Sequence, residues 1–441
     1  MTQLRVRDVT EADLPAILRI RARSFGPLAD GGERWWRRVA DETLGGRMLA
    51  VVDAHDTVLA SGRARPFRQV WGGRHQPMGG VAGVYVDPAA RGRGVASLLM
   101  RGLLARMAEL GDGISCLFPT APTLYRGVGF EFGGPLPRFT YAAHDLRALG
   151  SLSGGLRPRG AGPADAQLFA ALMRADQQRN RLSGPRLVDE QEWRHELDDE
   201  DTIAYVLDGR DGGPTGFVTY ALSDETLRVD TFVADGRDAA AALWAVVGSG
   251  SSAAPTVHAF LDPRDPVALL AGAEARHDVE QQSWMVRIVD LPRAVAARGF
   301  SPSLAATAHL TVEDPDLPQN SGTWRLDVSG GSATATCVER PLHVERPPTD
   351  ERPPTDERPP TVEGPPTDER PPTVERPPTD EGPPTDEGPP VRMGPRGLAA
   401  LWCGWPVARL RQAGLLSGGH PEDDCTLEAI FTGSPYMTDY F

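Results

Sequence analysis

From Glu345 to Pro390 the sequence repeats E-[R/G]-P-P-T-[D/V] every six residues, through seven full units and a truncated eighth. Paired prolines remove backbone donors and fix φ, so neither a helix nor a central strand can run through the segment. Its 16 prolines, 13 acids and 5 arginines leave almost no apolar surface to bury, which favours an extended, solvated, polyproline-like chain. A folded core must be assembled from what lies on either side. We expect the repeat to be a disordered, semi-rigid excursion, looping out of a domain at a strand-to-strand or strand-to-helix connection. A proline-rich ligand for an SH3-like partner is the alternative, but the strict P-x-x-P context is missing.

The 441 residues carry 46 basic side chains, all of them arginine, against 60 acids, a net charge of −14. That balance argues against a dedicated binder of nucleic acid or of anionic membranes. The absence of lysine excludes Schiff-base chemistry, pyridoxal phosphate attachment and the Walker-type phosphate loop. Cys116, Cys337, Cys403 and Cys425 are far apart and form no C-x-x-C pair, so a reducing, cytoplasmic compartment is expected. The nine histidines form no H-x-x-x-H, and no G-x-S-x-G occurs, so neither metal nor serine-hydrolase chemistry is expected. The chain opens with charge and alternation, and no stretch approaches the roughly 18 apolar residues of a membrane span. A soluble, unprocessed chain is expected.

Two mixed α/β stretches precede the repeat. In the first, Leu4 to Arg7 reads as a strand, and Thr10-Glu-Ala-Asp caps a helix bearing Leu14, Ile17, Leu18 and Ile20. Strands follow at Met48 to Val52, Val58 to Ala64 and Gly83 to Val86, then a helix from Val95 to Leu110 and a strand from Ile114 to Phe118. The second stretch repeats this plan more faintly, with strands at Ile203 to Leu207, Gly216 to Ala221 and Leu227 to Val233 between helices Ala164 to Met173 and Ala239 to Val247. A duplicated domain is the simplest account. A third unit begins with strand and helix near Met285 and contains the repeat. The expected division is 1–150, 151–285 and 286–441, the last interrupted by 345–390.

The informative run is Val84-Tyr-Val-Asp-Pro-Ala-Ala-Arg-Gly-Arg-Gly-Val-Ala-Ser, a strand, a turn of Arg and Gly, and a helix start containing Arg91-x-x-Gly94-x-Ala96. Glycine lets the backbone fold closely round a ligand, and a helix N-terminus offers unpaired N–H donors and a favourable dipole. Such a turn can hold a diphosphate without lysine, with Arg91 and Arg93 as added cationic donors. An ordinary strand-helix connection is the plain alternative. The next segment, Thr120-Ala-Pro-Thr-Leu-Tyr125-Arg-Gly-Val-Gly129-Phe130, follows a strand. After the second stretch's equivalent strand comes Ala234-Asp-Gly-Arg-Asp, whose acids would repel a diphosphate, so we expect one such site per chain.

The first run resembles the acetyl-CoA loop of the GNAT acetyltransferase superfamily, Q/R-x-x-G-x-G/A between strand and helix, and the segment ending at Phe130 resembles its Y-x-x-x-G-F. The resemblance implies that Val84, Tyr85 and Val86 present backbone groups to the pantetheine arm, the N–H of Val86 stabilising the oxyanion. It implies that Gly92, Arg93, Gly94, Val95, Ala96 and Ser97 cradle the phosphates, with Thr120 and Ala121 joining the acetyl-CoA contacts. Tyr125 then lies near the thioester sulfur, where a phenol can donate a proton to a departing thiolate.

The whole chain, with Trp284-Met-Val-Arg-Ile-Val-Asp, Asn320-Ser-Gly-Thr-Trp-Arg-Leu and the closing Pro435-Tyr-Met-Thr-Asp-Tyr-Phe441, resembles the enhanced intracellular survival (Eis) family of N-acetyltransferases. The fold this implies is α/β: tandem GNAT-like domains followed by a sterol-carrier-like domain, assembled as a homohexamer. The repeat departs from the family pattern. The resemblance makes the α-carboxylate of Phe441 the general base, acting on aminoglycoside-like polyamines or lysine side chains. A free α-carboxyl has a pKa near 3.5, and burial beside apolar groups would make it more basic; a frayed tail is the plain alternative. Trp35 and Trp36, near Asp30 and Glu33, are candidates for lining an amine pocket, with Trp36 the stronger. A second class of reading is a ligand carrier or regulator in which the acetyltransferase domain is vestigial.

Overall fold

The computed structural model describes residues 4–28, 36, 40, 45–223, 225–272, 275–340 and 390–441. The hexapeptide repeat, apart from Pro390, lies outside them.

The first half contributes β1 (Arg5–Asp8), β2 (Met48–Val52), β3 (Val58–Trp71), β4 (Arg74–Val86), β5 (Ile114–Leu117) and β6 (Glu131–Ala142). The second adds β7 (Arg159–Gly160), β8 (Ile203–Asp208), β9 (Pro214–Ser223), β10 (Thr226–Ala234), β11 (Thr256–Phe260) and β12 (Arg276–Ile288). All twelve form one sheet in the order β1-β2-β3-β4-β5-β12-β6-β11-β10-β9-β8-β7. Helices α1 (Leu14–Phe25) and α2 (Val95–Leu110) cover opposite faces of its first part.

Strand β2 shows why the apolar run MLAVV was legible. All five residues are buried, Leu49 and Val51 against Leu99 and Leu103 of α2, and Met48, Ala50 and Val52 against Ile17 and Ile20 of α1. A strand covered on both faces reads as continuous hydrophobicity instead of alternation. The start of α1 is fixed by Asp13, which accepts the Thr10 N–H at 2.8 Å and two bonds from Arg7 at 2.7 and 2.8 Å.

The observed elements correct two expectations. Strands β3 and β4 form one long hairpin, well beyond the expected Ala64 and before the expected Gly83. Strand β6 was not expected, and it pairs with both β11 and β12. Strand β12 runs through 285/286: Met285 to Ile288 pair with β5, and the β6 ladder extends along it from Arg276 to Val286. The segment between β6 and β12 is thus inserted between two neighbouring strands.

The third unit has a five-stranded sheet, β15-β14-β13-β16-β17, with β13 (Ala306–Val312), β14 (Gly322–Ser329), β15 (Ser332–Glu339), β16 (Val391–Met393) and β17 (Leu416–Ser417). The repeat therefore lies between two strands, β15 and β16. This unit shares a core with the first half through Trp71, Trp284 and Trp402, whose rings stand 5.6–6.3 Å apart around Trp71. No described helix is long and apolar enough to cross a membrane.

A buried ion pair joins β12 to the third unit beneath the segment carrying Tyr125. Arg287 on β12 reaches Asp314 at 2.6 Å, with both side chains wholly buried, and donates to the backbone carbonyl of Val128 at 3.1 Å. Asp314 also accepts from the Leu317 N–H at 3.1 Å and the Asn320 amide at 3.2 Å. Removing one partner strands a charge in the core, so Asp314→Ala is expected to lower stability by about 3–5 kcal/mol. The double replacement Arg287→Met/Asp314→Leu should cost distinctly less. Denaturant unfolding of the three proteins checks the order.

Candidate active site

Strand β4 pairs with β5 over only three residues, Met78 with Ile114, Gly79 with Ser115 and Gly80 with Cys116. Beyond Gly80 the two separate, while β4 stays on β3 through a bulge that places one extra residue between Ala82 and Tyr85. A bulge bends its strand and re-aims the residues beyond it. The result is a splay in which β4 has one free edge. The Asp87 N–H donates to Leu59 on β3 at 2.8 Å. Backbone groups alternate along a strand, so the N–H and C=O of Val86 face away from β3. The Ser24 hydroxyl reaches that C=O at 3.4 Å.

The turn after β4 leads into α2 through Gly94, which sits at φ +73° as the residue preceding the helix and supplies no side-chain cap. A β-carbon there would meet nothing within 4 Å, so the conformation, not crowding, demands glycine. Open space in front of an uncapped helix N-terminus suits an anion. Arg91, Gly92, Arg93 and Gly94 are exposed, Val95 is buried, and Ala96 and Ser97 are half-buried. Among the described residues neither Arg91 nor Arg93 forms an ion pair. The equivalent turn of the second half carries Asp235 and Asp238 around Gly236.

A cavity of about 260 Å³ fills the splay, lined by Arg21 and Phe25 of α1, Val81 to Tyr85 of β4, Phe118, Thr120, Tyr125 and Phe441. Tyr125 is supplied by a short helix, α3 (Pro122–Arg126), and is 5 % exposed, with Phe130 packed edge-on at 6.2 Å. Burial raises its phenol above the ordinary value of 10, opposed in part by a hydrogen bond with Thr120. Thr120 and Ala121 are exposed at the mouth.

The chain end reaches this cavity from the third unit. The Tyr436 N–H donates to Ser183 at 3.1 Å and the Met437 N–H to Pro135 at 2.9 Å, and Asp439 pairs with Arg186 at 2.6 Å. Arg186 in turn covers the Phe67 ring at 4.4 Å. The Phe441 ring meets Phe67 at 5.0 Å and Phe118 at 5.5 Å, and Tyr440 packs on Phe118 at 4.5 Å while remaining half-exposed. The tail is tied to all three units. Gly80 makes room for it: a β-carbon there would come within 2.6 Å of Phe67 and 2.8 Å of Phe441.

The structure thus gathers Val84, Tyr85, Thr120, Tyr125 and Phe441 at one cavity. Val86 and the 91–97 turn come directly after its β4 wall. Tyr85 contributes more than backbone, since its buried ring carries Phe25 edge-on at 5.7 Å. Trp36 packs against the apolar cluster of Ile17, Ile20 and Tyr85. Trp35, Asp30 and Glu33 lie outside the described residues. Arg21, Phe25, Phe67, Gly80, Phe118, Arg186 and Asp439 were not anticipated as site residues, although Phe118 stood beside a recognisable motif and Asp439 within the closing run. Among the described residues no group of three His, Cys, Asp or Glu side chains is placed to hold a metal.

This geometry agrees with what the chain is similar to. A GCN5-related N-acetyltransferase from Kribbella flavida, solved by crystallography, is 41% identical, with 100% of this chain and 99% of that one covered at a TM-score of 0.84. The chain belongs to the GCN5-related N-acetyltransferase family. Two acetyltransferase (GNAT) domain families match residues 5–133 and 186–288, and a sterol carrier protein domain family matches residues 291–350. An uncharacterized N-acetyltransferase of Streptomyces avermitilis is 27% identical over 340 residues, 72% of this chain and 80% of its own length. Eis1 from Mycobacterium abscessus, 20% identical with both chains fully covered at a TM-score of 0.67, shares the fold. This GCN5-related protein is accordingly a GNAT-type N-acetyltransferase, built from two GNAT domains and a sterol-carrier-like one.

Proposed function

We propose that the protein transfers an acetyl group from acetyl-CoA to an amine of an aminoglycoside-like polyamine or of a lysine side chain, in the manner of the Eis family. The observation that carries this is a single cavity walled by the free edge of β4, Tyr125 and Phe441, with an uncapped, arginine-flanked helix N-terminus beside it. An extended pantetheine chain pairs with the β4 edge, as an added strand would. The diphosphate lies on Gly92 to Ser97, with Arg91 and Arg93 as charge-assisted donors.

The chemistry needs no group beyond these. The α-carboxylate of Phe441 takes a proton from the attacking amine, directly or through water, as its nitrogen bonds to the thioester carbonyl carbon. The Val86 N–H holds the oxyanion. As the carbon–sulfur bond breaks, Tyr125 protonates the leaving thiolate, and water returns the proton from the carboxylic acid to the phenolate. The products are the amide and CoA.

We further propose the three-part division at about 150 and 285, a homohexameric assembly and a cytoplasmic location, and Trp36 as a wall of the amine pocket. Calorimetric titration with CoA tests the donor site: one site per chain is expected. Replacing both Arg91 and Arg93 by Ala should weaken binding roughly tenfold or more and flatten its salt dependence. Two sites per chain, or no effect of the double substitution, would overturn the assignment. Thiol release from acetyl-CoA with a panel of amines tests the acceptor class.

A further inference from the structure

The second half of the sheet repeats the splay. Strands β10 and β11 pair in parallel only as far as Val229 with Ala259, and β10 bulges against β9 at Asp230. The space that opens beyond is larger than the one in the first half, about 670 Å³, within the range of small-molecule sites. Asp235 and Asp238 flank its helix start, so it does not suit a diphosphate.

The polar groups facing this cavity are unequally satisfied. Arg264 is committed to Asp262 at 3.1 Å, and Arg179 to Asp235 at 2.7 Å and Asp176 at 3.2 Å. Asp265 has no cationic partner among the described residues; it accepts one hydrogen bond, from the Val267 N–H at 2.8 Å. Tyr436, arriving on the C-terminal tail, is 4 % exposed and lines the cavity, yet its hydroxyl makes no hydrogen bond among the described residues. A phenol so placed ordinarily finds a partner. Asn180, Thr231 and Thr438 add neutral polar groups, and Leu182, Phe232, Phe260 and Leu261 form an apolar part of the wall. Burial, reinforced by the nearby charges of Asp262 and Asp176, raises the Asp265 carboxyl to about 6, against a partial offset from the Val267 N–H. The interior lacks one positive charge and one hydrogen-bonding group, and its walls fit a hydrocarbon body. Arg237, the remaining arginine of the lining, is exposed at the rim and forms no ion pair among the described residues.

We propose that the cavity of the second GNAT domain is a binding site for a small organic ammonium ion with an apolar body, its charge held by Asp265 and its donor shared with Tyr436. Because Tyr436 and Thr438 form part of the wall, an occupant touches the same tail that carries Phe441 to the first cleft. The site does not depend on the acetyl-transfer mechanism proposed above and is tested without an acetyl donor.

The probe is tryptamine, titrated calorimetrically into the full chain beside its neutral isostere tryptophol and the anion indole-3-propionate. Tryptamine is expected to bind at one site per chain, with tryptophol roughly tenfold weaker or worse, since a charge-assisted bond to a buried carboxylate is lost. Asp265→Asn is expected to reduce the tryptamine affinity to that of tryptophol, with thermal unfolding confirming that the variant is folded. The comparison of the three ligands on the unaltered protein needs no variant. Equal binding of tryptamine and tryptophol overturns the proposal, as does tighter binding of indole-3-propionate. Undiminished tryptamine affinity in the folded Asp265→Asn protein also overturns it, because the amine would then occupy the first cleft.

Discussion

Adding a glycine and a serine after Phe441 is expected to cut kcat roughly 10²–10⁴-fold, the usual contribution of a positioned general base, while leaving acetyl-CoA affinity unchanged. The extension converts the α-carboxylate into an amide and moves the nearest free carboxylate away from the cavity. The aromatic anchors stay, because Phe441 still lies between Phe67 and Phe118 and Asp439 still pairs with Arg186. A second substitution reaches the same group from the opposite wall. Gly80→Val places carbon atoms against the Phe67 and Phe441 rings, so the rings must shift and the tail is expected to be displaced although its own chemistry is intact. Both proteins should show the same loss in kcat at saturating amine and donor. If the extended protein keeps its full kcat, the terminal base is refuted. A loss in the Gly80→Val protein alone would then mean that the ring, not the carboxylate, matters.

The split between what sequence revealed and what it hid has a physical pattern. The turn from Arg91 to Ser97 and the helix behind it were legible because their constraints are local, namely positive φ at Gly94 and the helical spacing of Val95, Leu99, Leu103 and Met107. Tyr125 was found for the same reason, as part of a short contiguous motif. The first half of β4 was not, because His75, Gln76, Pro77, Gly79 and Gly80 break the alternation by which a strand is recognised. The exposed half of β12, Arg276 to Ser283, reads as polar loop although it is held along β6. The tail's anchors come from four distant segments, at Phe67, Phe118, Pro135 and Ser183 to Arg186, none of which carries a local sign of that duty. The placement of Phe441, half-buried at the cavity, was expected only from family likeness; what holds it there is tertiary.

Replacing Tyr125 by Phe is expected to lower kcat by about 10²–10⁴-fold at neutral pH, again without loss of CoA affinity. The ring remains packed against Phe130, so the fold should survive with little change in unfolding midpoint. Only the hydroxyl is lost. Its pH signature comes from the sign of the shift. Burial raises the phenol above 10, so the neutral, proton-donating form persists to higher pH than in a free tyrosine. The unaltered enzyme should therefore keep its activity up to pH 10, and the alkaline limb due to the phenol should be absent from the Phe variant. The variant should also respond to the donor. A thiolate that leaves easily needs no acid, so acetyl thioesters of more acidic thiols should recover part of the lost rate, whereas donors with the thiol basicity of CoA should not. A variant equally impaired with every thioester would assign Tyr125 to positioning the acyl group, because a proton delivered to sulfur must matter less as the sulfur becomes less basic.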